Sequence, residues 1–196
     1  MSTVEVLPGL VLDETIYGAT ADGMATYAPG ILALTWEQFV APDNWLLVPD
    51  DQGHLSKAEL TVVKTAEQTV KVNVWFRSDL RGGDKPMPHD HPWKTFTGHV
   101  LLAGYDEDRW WVDTRGDVRA DLGVRHASPA ANTVDRGTYH EVTAIHEPGR
   151  TVSLMVCGPG ERGRWGYLDI ETGEHRRIQP VKNFDAMLAA LNPHRR

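Results

Sequence analysis

Residues 83–104 read GDKPMPHDHPWKTFTGHVLLAG, and this segment is the most informative one for predicting the fold. Within it, His89 and His91 stand two residues apart, between a loop rich in glycine and proline and an apolar segment. In an extended strand the side chains of residues i and i+2 leave the same face, so both imidazoles can reach one metal ion. Imidazole is a ligand of zinc, iron, nickel and copper. The alternative is a solvated turn in which the two histidines alternate by chance.

The spacing around these histidines resembles the first motif of the cupin superfamily, which runs Gly, five residues, His-x-His, three or four residues, Glu, six residues, Gly. Gly83 precedes His89 and His91 at the spacing of that motif. The second half departs from it, because no carboxylate lies between His91 and Gly104 and these two residues are one position too far apart.

The second cupin motif, Pro-x-Gly-x-x-His-x-x-x-Asn, is similar to DRGTYH at residues 135–140. Here Asp135 replaces the proline, and Ala144 stands where the motif has asparagine. The resemblance covers about residues 59–178 and implies that His140 is the third metal ligand. It also implies the fold class, which is all-β with a single cupin-type double-stranded β-helix barrel.

The residues from about Glu59 onward favour a β-rich domain on their own. Short runs rich in valine, threonine and aromatic residues alternate with turn residues, which is typical of a β-sandwich or barrel. The runs are ELTVVK, TVKVNVWFR, TFTGHVLLAGY, RWWVD, ANTVD, HEVTAIH, TVSLMVCG and RWGYLDI. Only the C-terminal end has a helical pattern, with Asn183 as N-cap and apolar residues at spacings of three and four up to Leu191. We predict a cupin domain with a short C-terminal helix over residues 59–196.

Residues 1–58 lack the strand-like pattern of the residues that follow, because proline and glycine interrupt short apolar stretches. We predict an irregular N-terminal arm there. Its apolar stretches at residues 31–34 and 45–48 are too large to leave in water, so the arm should pack on the barrel or on the second subunit of a homodimer. Within it, Thr35 followed by Gln38 fits a capping box and predicts a short helix to about Val40.

The composition excludes several classes of protein. A length of 196 residues suits one domain with a full core. The formal charge of −7 and the pI near 5.7 oppose non-specific binding to nucleic acid. The single cysteine, Cys157, cannot form an internal disulfide, and no apolar run approaches the roughly 20 residues that span a bilayer. Because the N-terminus also lacks a basic and apolar leader, we expect a cytoplasmic protein without a membrane partner.

Three histidines without a carboxylate form the simplest metal site that the two motifs imply. Such a site resembles the three-histidine iron centres of thiol dioxygenases and some diketone-cleaving cupins. This resemblance implies a divalent metal, Fe(II) first, with Zn, Ni or Mn as alternatives. If Glu107 bent back from beyond the Gly104 turn, the site would instead resemble the commoner cupin set of three histidines and one carboxylate.

From this resemblance we expect an enzyme, a non-haem Fe(II) dioxygenase or hydroxylase acting on a small organic substrate. A metal-dependent isomerase, lyase or epimerase is the alternative, with His146 or Tyr139 as the base that moves a proton. His146 would share the face of His140 if residues 139–146 formed one strand. A third hypothesis is a barrel that binds a small ligand without catalysis.

Four more residues are candidates for contact with the substrate. Arg77 would share a strand face with Trp75, and its guanidinium would bind an anionic substrate through paired hydrogen bonds; the alternative is a solvated surface. Arg150, ten residues after His140, is the second candidate for the same role. Trp93, two residues after His91, is expected near the metal.

Overall fold

The chain from residue 45 to residue 176 is built mainly of strands. The structure, a computed structural model, describes residues 2–80, 85–161, 163–177 and 183–195, so Gly83 of the first motif lies outside the described residues. The elements are β1 (Thr3–Leu7), β2 (Leu10–Asp13), α1 (Glu14–Tyr27), α2 (Trp36–Phe39), β3 (Trp45–Pro49), β4 (Leu55–Lys64), β5 (Thr69–Trp75), β6 (Phe96–Leu102), β7 (Gly104–Val112), β8 (Val118–Ala127), β9 (Ala130–Thr133), β10 (Thr138–Ile145), β11 (Thr151–Cys157), β12 (Tyr167–Leu168), β13 (His175–Arg176) and α3 (Phe184–Leu191). Single turns of 3-10 helix lie at Pro42–Asn44 and Pro193–Arg195.

Two antiparallel sheets form the barrel. One has the order β3-β4-β5-β11-β6-β9 and the other the order β10-β7-β8. Strands far apart in sequence are neighbours, since β11 pairs with β5 on one side and with β6 on the other. Side chains from both sheets line one small cavity between them. The predicted all-β architecture, a double-stranded β-helix barrel, is therefore confirmed.

The six-stranded sheet has two different faces, because side chains alternate along each strand. On β5, Val70, Val72 and Val74 are fully buried in the main apolar cluster of the molecule. The N-terminal segment covers this outer face with the β1-β2 hairpin and with helix α1. The inner face of the same sheet points into the barrel and carries Lys71 and Asn73.

The N-terminal segment is more regular than the irregular arm expected from the sequence. Residues Glu14–Tyr27 form α1, whose N-cap Asp13 accepts a hydrogen bond from the backbone N–H of Ile16 at 2.9 Å. Gly18 and Gly23 lie inside this helix, and glycine is a poor helix former, which concealed the helix in the sequence. The expected boundary at residue 58 falls within β4, so β3 and the start of β4 belong to the sheet of the barrel.

Both short helices indicated by capping patterns are present. At α2, the Thr35 hydroxyl accepts from the N–H of Gln38 at 3.3 Å, and the Gln38 side chain accepts from the N–H of Thr35 at 2.9 Å. Helix α3 follows Asn183 as predicted, although the Asn183 side chain makes no capping bond. Just after α3, Asn192 pairs with both backbone groups of Leu47 at 2.7 Å, which ties the helix to the edge strand β3.

The analysis of the sequence missed β8, although in VRADLGVRHA the apolar residues Val118, Ala120, Leu122 and Val124 alternate with charged residues and glycine. This strand pairs with β7 at the edge of the three-stranded sheet and is largely exposed. None of the helices in the described ranges is long and apolar enough to span a membrane.

Candidate metal centre

The three histidines that the motifs single out come together in the structure. One ring nitrogen each of His89, His91 and His140 lies within 4.8 Å of the others. The closest pair is Nε2 of His91 and Nε2 of His140, at 2.8 Å. In the described part of the chain, this is the one group of three or more histidine, cysteine or acidic residues arranged to hold a metal ion.

Backbone pairing places these rings side by side. The N–H of His89 donates to the carbonyl of His140 at 3.1 Å, and the N–H of His140 donates back to the carbonyl of His89 at 2.9 Å. Directly opposed residues of an antiparallel pair project to the same side, so both imidazoles face the barrel interior. The next residue, Asp90, points the other way and accepts from the N–H of Gly166 at 2.9 Å. His91 then faces inward again, as the alternation predicts.

A buried carboxylate lies behind His140. Glu107 on β7 is 0% exposed, and its Oε2 is 3.1 Å from Nδ1 of His140. Burial alone would raise the pKa of Glu107, but its contacts with His126 and His140 outweigh it, and the pKa is lowered well below its usual range. The ionised carboxylate can only accept, so Nδ1 of His140 carries a proton and Nε2 faces the cavity.

Glu107 therefore acts through His140 rather than as a ligand beside it. A carboxylate that holds the second ring nitrogen fixes the tautomer and the orientation of a metal-binding histidine. The position of Glu107 is fixed by Arg109, which donates to its carboxylate, and by Asn132, whose Nδ2 is 2.5 Å from Oε2 of Glu107. The sequence analysis placed Glu107 beyond a turn, whereas it occupies an inward position of β7. The position of Glu107 two residues after Tyr105, on the same face of the strand, was the signal for this.

His91 is suited to donate a lone pair. Burial, and after it the neighbouring His140 and His89, hold the pKa of His91 well below its usual value. The Phe96 ring stacks on its imidazole, with the ring centroids 3.9 Å apart and the planes 8° from parallel. A neutral imidazole in a fixed orientation is the form that binds metals.

The donor set fits a divalent transition metal. Three imidazole nitrogens converge on one point, and one of the rings is oriented by a buried carboxylate. Sets of this kind bind zinc and iron and leave other coordination positions open. His89, His91 and His140 would hold the ion.

The three rings line a small cavity of about 50 Å³ between the two sheets. Its wall is largely aromatic and aliphatic with a few polar groups. Besides the histidines, it is lined by Lys57, Trp75, Asp79, Phe96, Gly98, Tyr105, Val142, Ser153 and Met155.

Asp79 brings a carboxylate to this cavity that the sequence analysis did not identify. Its Oδ2 lies 4.0 Å from Nε2 of His89. Its backbone N–H donates to the carbonyl of Val142 at 2.9 Å, which fixes the segment after β5 against β10. No local pattern marks Asp79 in the sequence, because only tertiary packing carries it to the histidines.

Of the two tryptophans predicted to contact the substrate, Trp75 lines the cavity. Its Nε1 donates to the Ser153 hydroxyl at 3.0 Å, which fixes the indole against β11. Trp93 lies near His91, with the ring centroids 5.6 Å apart, but it packs on Phe96 and does not line the cavity.

The two arginines expected to bind the substrate lie away from the histidines. β5 ends at Trp75, and the N–H groups of both Phe76 and Arg77 bond to the one carbonyl of Ser56, at 2.9 and 3.1 Å. This kink breaks the alternation, so Arg77 is exposed at an outer depression instead of facing inward. Arg150 donates to Asp13 Oδ2 at 2.7 Å and ties the barrel to the N-terminal segment.

Neither residue proposed as a base reaches the cavity. Tyr139 lies on the opposite face of β10 from His140, and its hydroxyl is 3.0 Å from Nδ1 of His175. His146 lies outside the cavity for another reason. The β10-β7 register shifts between Val142 and Ala144, which reverses the alternation, and His146 ends beside Asp106, with Nε2 2.9 Å from Oδ1.

Comparisons with known proteins concern the fold. No family model matches the chain, and no curated protein matches it either. Among solved structures it is similar to KdgF from Halomonas sp., at 14% identity over 55% of this chain and 82% of that chain, with a TM-score of 0.36. It is also similar to Fe(II)-HppE with the alternative substrate (S)-1-HPP, at 14% identity, 65% and 60% coverage and a TM-score of 0.41.

A third similar structure is the polyketide cyclase RemF from Streptomyces resistomycificus, at 16% identity over 74% of this chain and 87% of that chain, with a TM-score of 0.37. At these identities and TM-scores the similarity carries no information on activity or substrate. The fold is instead defined by the strand order of the two sheets and by the inward positions of His89, His91 and His140. By these features, the chain has the double-stranded β-helix fold of the cupins.

Proposed function

We propose that this protein is a metal-dependent enzyme, and specifically a non-haem Fe(II) oxygenase that acts on a small organic substrate. One observation carries the proposal. Three imidazoles converge within 4.8 Å and line a small cavity of about 50 Å³. A purely structural metal site is closed by four protein ligands, whereas a site with three leaves room for a reactant.

The residues around the cavity have separate roles in this proposal. His89, His91 and His140 hold the ion, and Glu107 keeps the proton of His140 on Nδ1. A bound Fe(II) ion would supply one-electron chemistry toward dioxygen, and the organic substrate would supply the remaining electrons. Trp75, Phe96 and Met155 contribute an apolar wall that excludes bulk water from the substrate. The small volume of the cavity favours a substrate of few atoms.

A second function is favoured by Asp79, which lines the same cavity. In a metal-dependent isomerase, lyase or epimerase, an ion polarises a carbonyl group and a nearby base moves a proton. Asp79 is a carboxylate in a position to accept such a proton, whereas Tyr139 and His146 lie outside the cavity. This is the alternative reaction class for the same site.

The test combines metal analysis with oxygen uptake. The protein is purified without added metal, analysed for bound elements, loaded with Fe(II) without air and then screened against small organic acids in an oxygen electrode. We expect one ion per chain and oxygen consumption that depends on substrate, with none for His89→Ala. Turnover without oxygen consumption would favour the isomerase class, and ligand binding without turnover would favour a non-catalytic barrel. Absence of any bound metal would contradict all the metal-dependent functions.

A further inference from the structure

Lys57 stands in the wall of the cavity that the three histidines face. It lies on β4, directly across from Trp75 on β5, and its side chain is only 16% exposed. Its Nζ lies over the indole of Trp75, 5.1 Å from the ring centroid. Among the described residues, Lys57 is the cation that lines the cavity, whereas Arg77 and Arg150 do not line it.

A buried carboxylate holds the Lys57 ammonium group in place. Glu59 Oε1 is 3.1 Å from Nζ of Lys57, and its Oε2 is 2.8 Å from Nζ of Lys71. Burial alone would raise the pKa of Glu59, but the charges of the two lysines outweigh it and lower that pKa to about 2. Glu59 is thus ionised at neutral pH and fixes the cation.

The charges in the cavity favour an anionic occupant. Among the described residues, three neutral imidazoles bring no negative charge to a divalent ion, Asp79 brings one, and the positive charge of Lys57 is balanced by Glu59. The sum is a net positive charge of about one between the two sheets, where an uncompensated charge is costly. A small anion that enters offsets this cost, and an ammonium group strengthens its hold through charge-assisted hydrogen bonds.

We propose that Lys57 binds the carboxylate of the substrate, and that the substrate is a small carboxylic acid. This inference rests on the proposed metal site and assigns its substrate class. In the cavity, the ammonium group is the donor toward the carboxylate, while the histidines hold the ion. Phe96 and Met155 enclose the apolar part of the acid.

The experiment measures anion binding in the absence of turnover. The protein is loaded with Co(II), whose visible absorption changes when an anion enters its coordination sphere, and titrated with acetate and with its neutral analogue acetamide. Lys57→Met should weaken acetate binding roughly ten- to a hundredfold, which corresponds to one lost charge-assisted hydrogen bond. Acetamide binding should stay the same, and Lys57→Arg should retain most of the acetate affinity.

Lys71→Met is the matched control, because it removes the same charge and the same partner of Glu59 but does not line the cavity. We expect it to bind acetate like the wild type. Equal acetate affinities of Lys57→Met and Lys71→Met, both folded by circular dichroism and loaded with Co(II), would overturn the inference. Failure of the oxygenase proposal is distinguishable, since it appears as absent oxygen uptake while the dependence of acetate binding on Lys57 persists.

Discussion

The two faces of the six-stranded sheet carry different kinds of side chains. On β5, Val70, Val72 and Val74 face outward and are 0% exposed beneath the N-terminal segment. The residues between them, Lys71 and Asn73, face into the barrel. The same seven-residue strand thus contributes a purely apolar layer to one side and polar groups to the other.

This difference separates stability from chemistry. Burial of apolar surface contributes about 25 cal/mol per Å², so the outer face stabilises the fold. The inner face carries partly buried ionic and polar groups, such as the Lys57 and Glu59 pair, which contribute little net stability because desolvation offsets their attraction. Their retention at the cavity agrees with a role in binding. Substitutions on the two faces should therefore affect different measured quantities.

Adjacent residues of β11 give the largest contrast. Leu154 lies in the outer apolar cluster and is 0% exposed, so Leu154→Ala should lower the free energy of unfolding by about 2 to 5 kcal/mol. Ser153→Ala, on the inner face, removes one hydrogen bond to Trp75 and should cost about 1 kcal/mol. Denaturant unfolding of the metal-free proteins measures both. Similar losses for the two variants would remove the distinction between the faces.

Glu107 tests the polar interior at the metal site itself. Glu107→Gln should weaken metal binding by about ten- to a hundredfold, or about 1.4 to 2.8 kcal/mol, because the carboxylate no longer holds Nδ1 of His140. Competition with a chelator gives the affinity. Asp106→Asn changes a carboxylate that pairs with His146 outside the cavity and should leave the metal affinity unchanged. An unaltered affinity in Glu107→Gln would mean that His140 needs no outer partner.

The smallest effect concerns the packing of α1 on the outer face. A methyl group at Gly18 would meet nothing within 4 Å, so Gly18→Ala should raise the free energy of unfolding by about 0.5 to 1 kcal/mol. At Gly23 the new Cβ would lie 2.6 Å from Cδ2 of Leu101 on β6. Gly23→Ala should therefore be less stable than Gly18→Ala by about 1 kcal/mol or more. Equal stabilisation by the two would show that the helix is not closely packed there.

Periodicity predicted the barrel strands because a buried face imposes alternation on them. β8 was missed although its residues alternate, because its charged residues and glycine make the pattern inconspicuous, and α1 was missed since Gly18 and Gly23 weaken its helical signal. Local alternation also has a limited range. It failed at Arg77, where β5 has ended, and at His146, beyond the irregularity after Val142.

The residues of the site also differ in whether local sequence could predict them. His89 and His91 are predictable because both lie in one extended segment, and His140 was reached through a motif. Lys57, Asp79 and Glu107 come from separate parts of the chain, and only the pairing of the strands brings them together around the cavity. That strand pairing could not be predicted from a single sequence.

The metal content of the purified protein and of one variant tests the central claim most directly. We predict one divalent ion per chain in the wild type by elemental analysis. His140→Ala should lose nearly all of this metal while the barrel stays folded. His146→Ala, outside the cavity, should keep the full content. Full metal retention in His140→Ala would contradict the assignment of His89, His91 and His140 as the metal site.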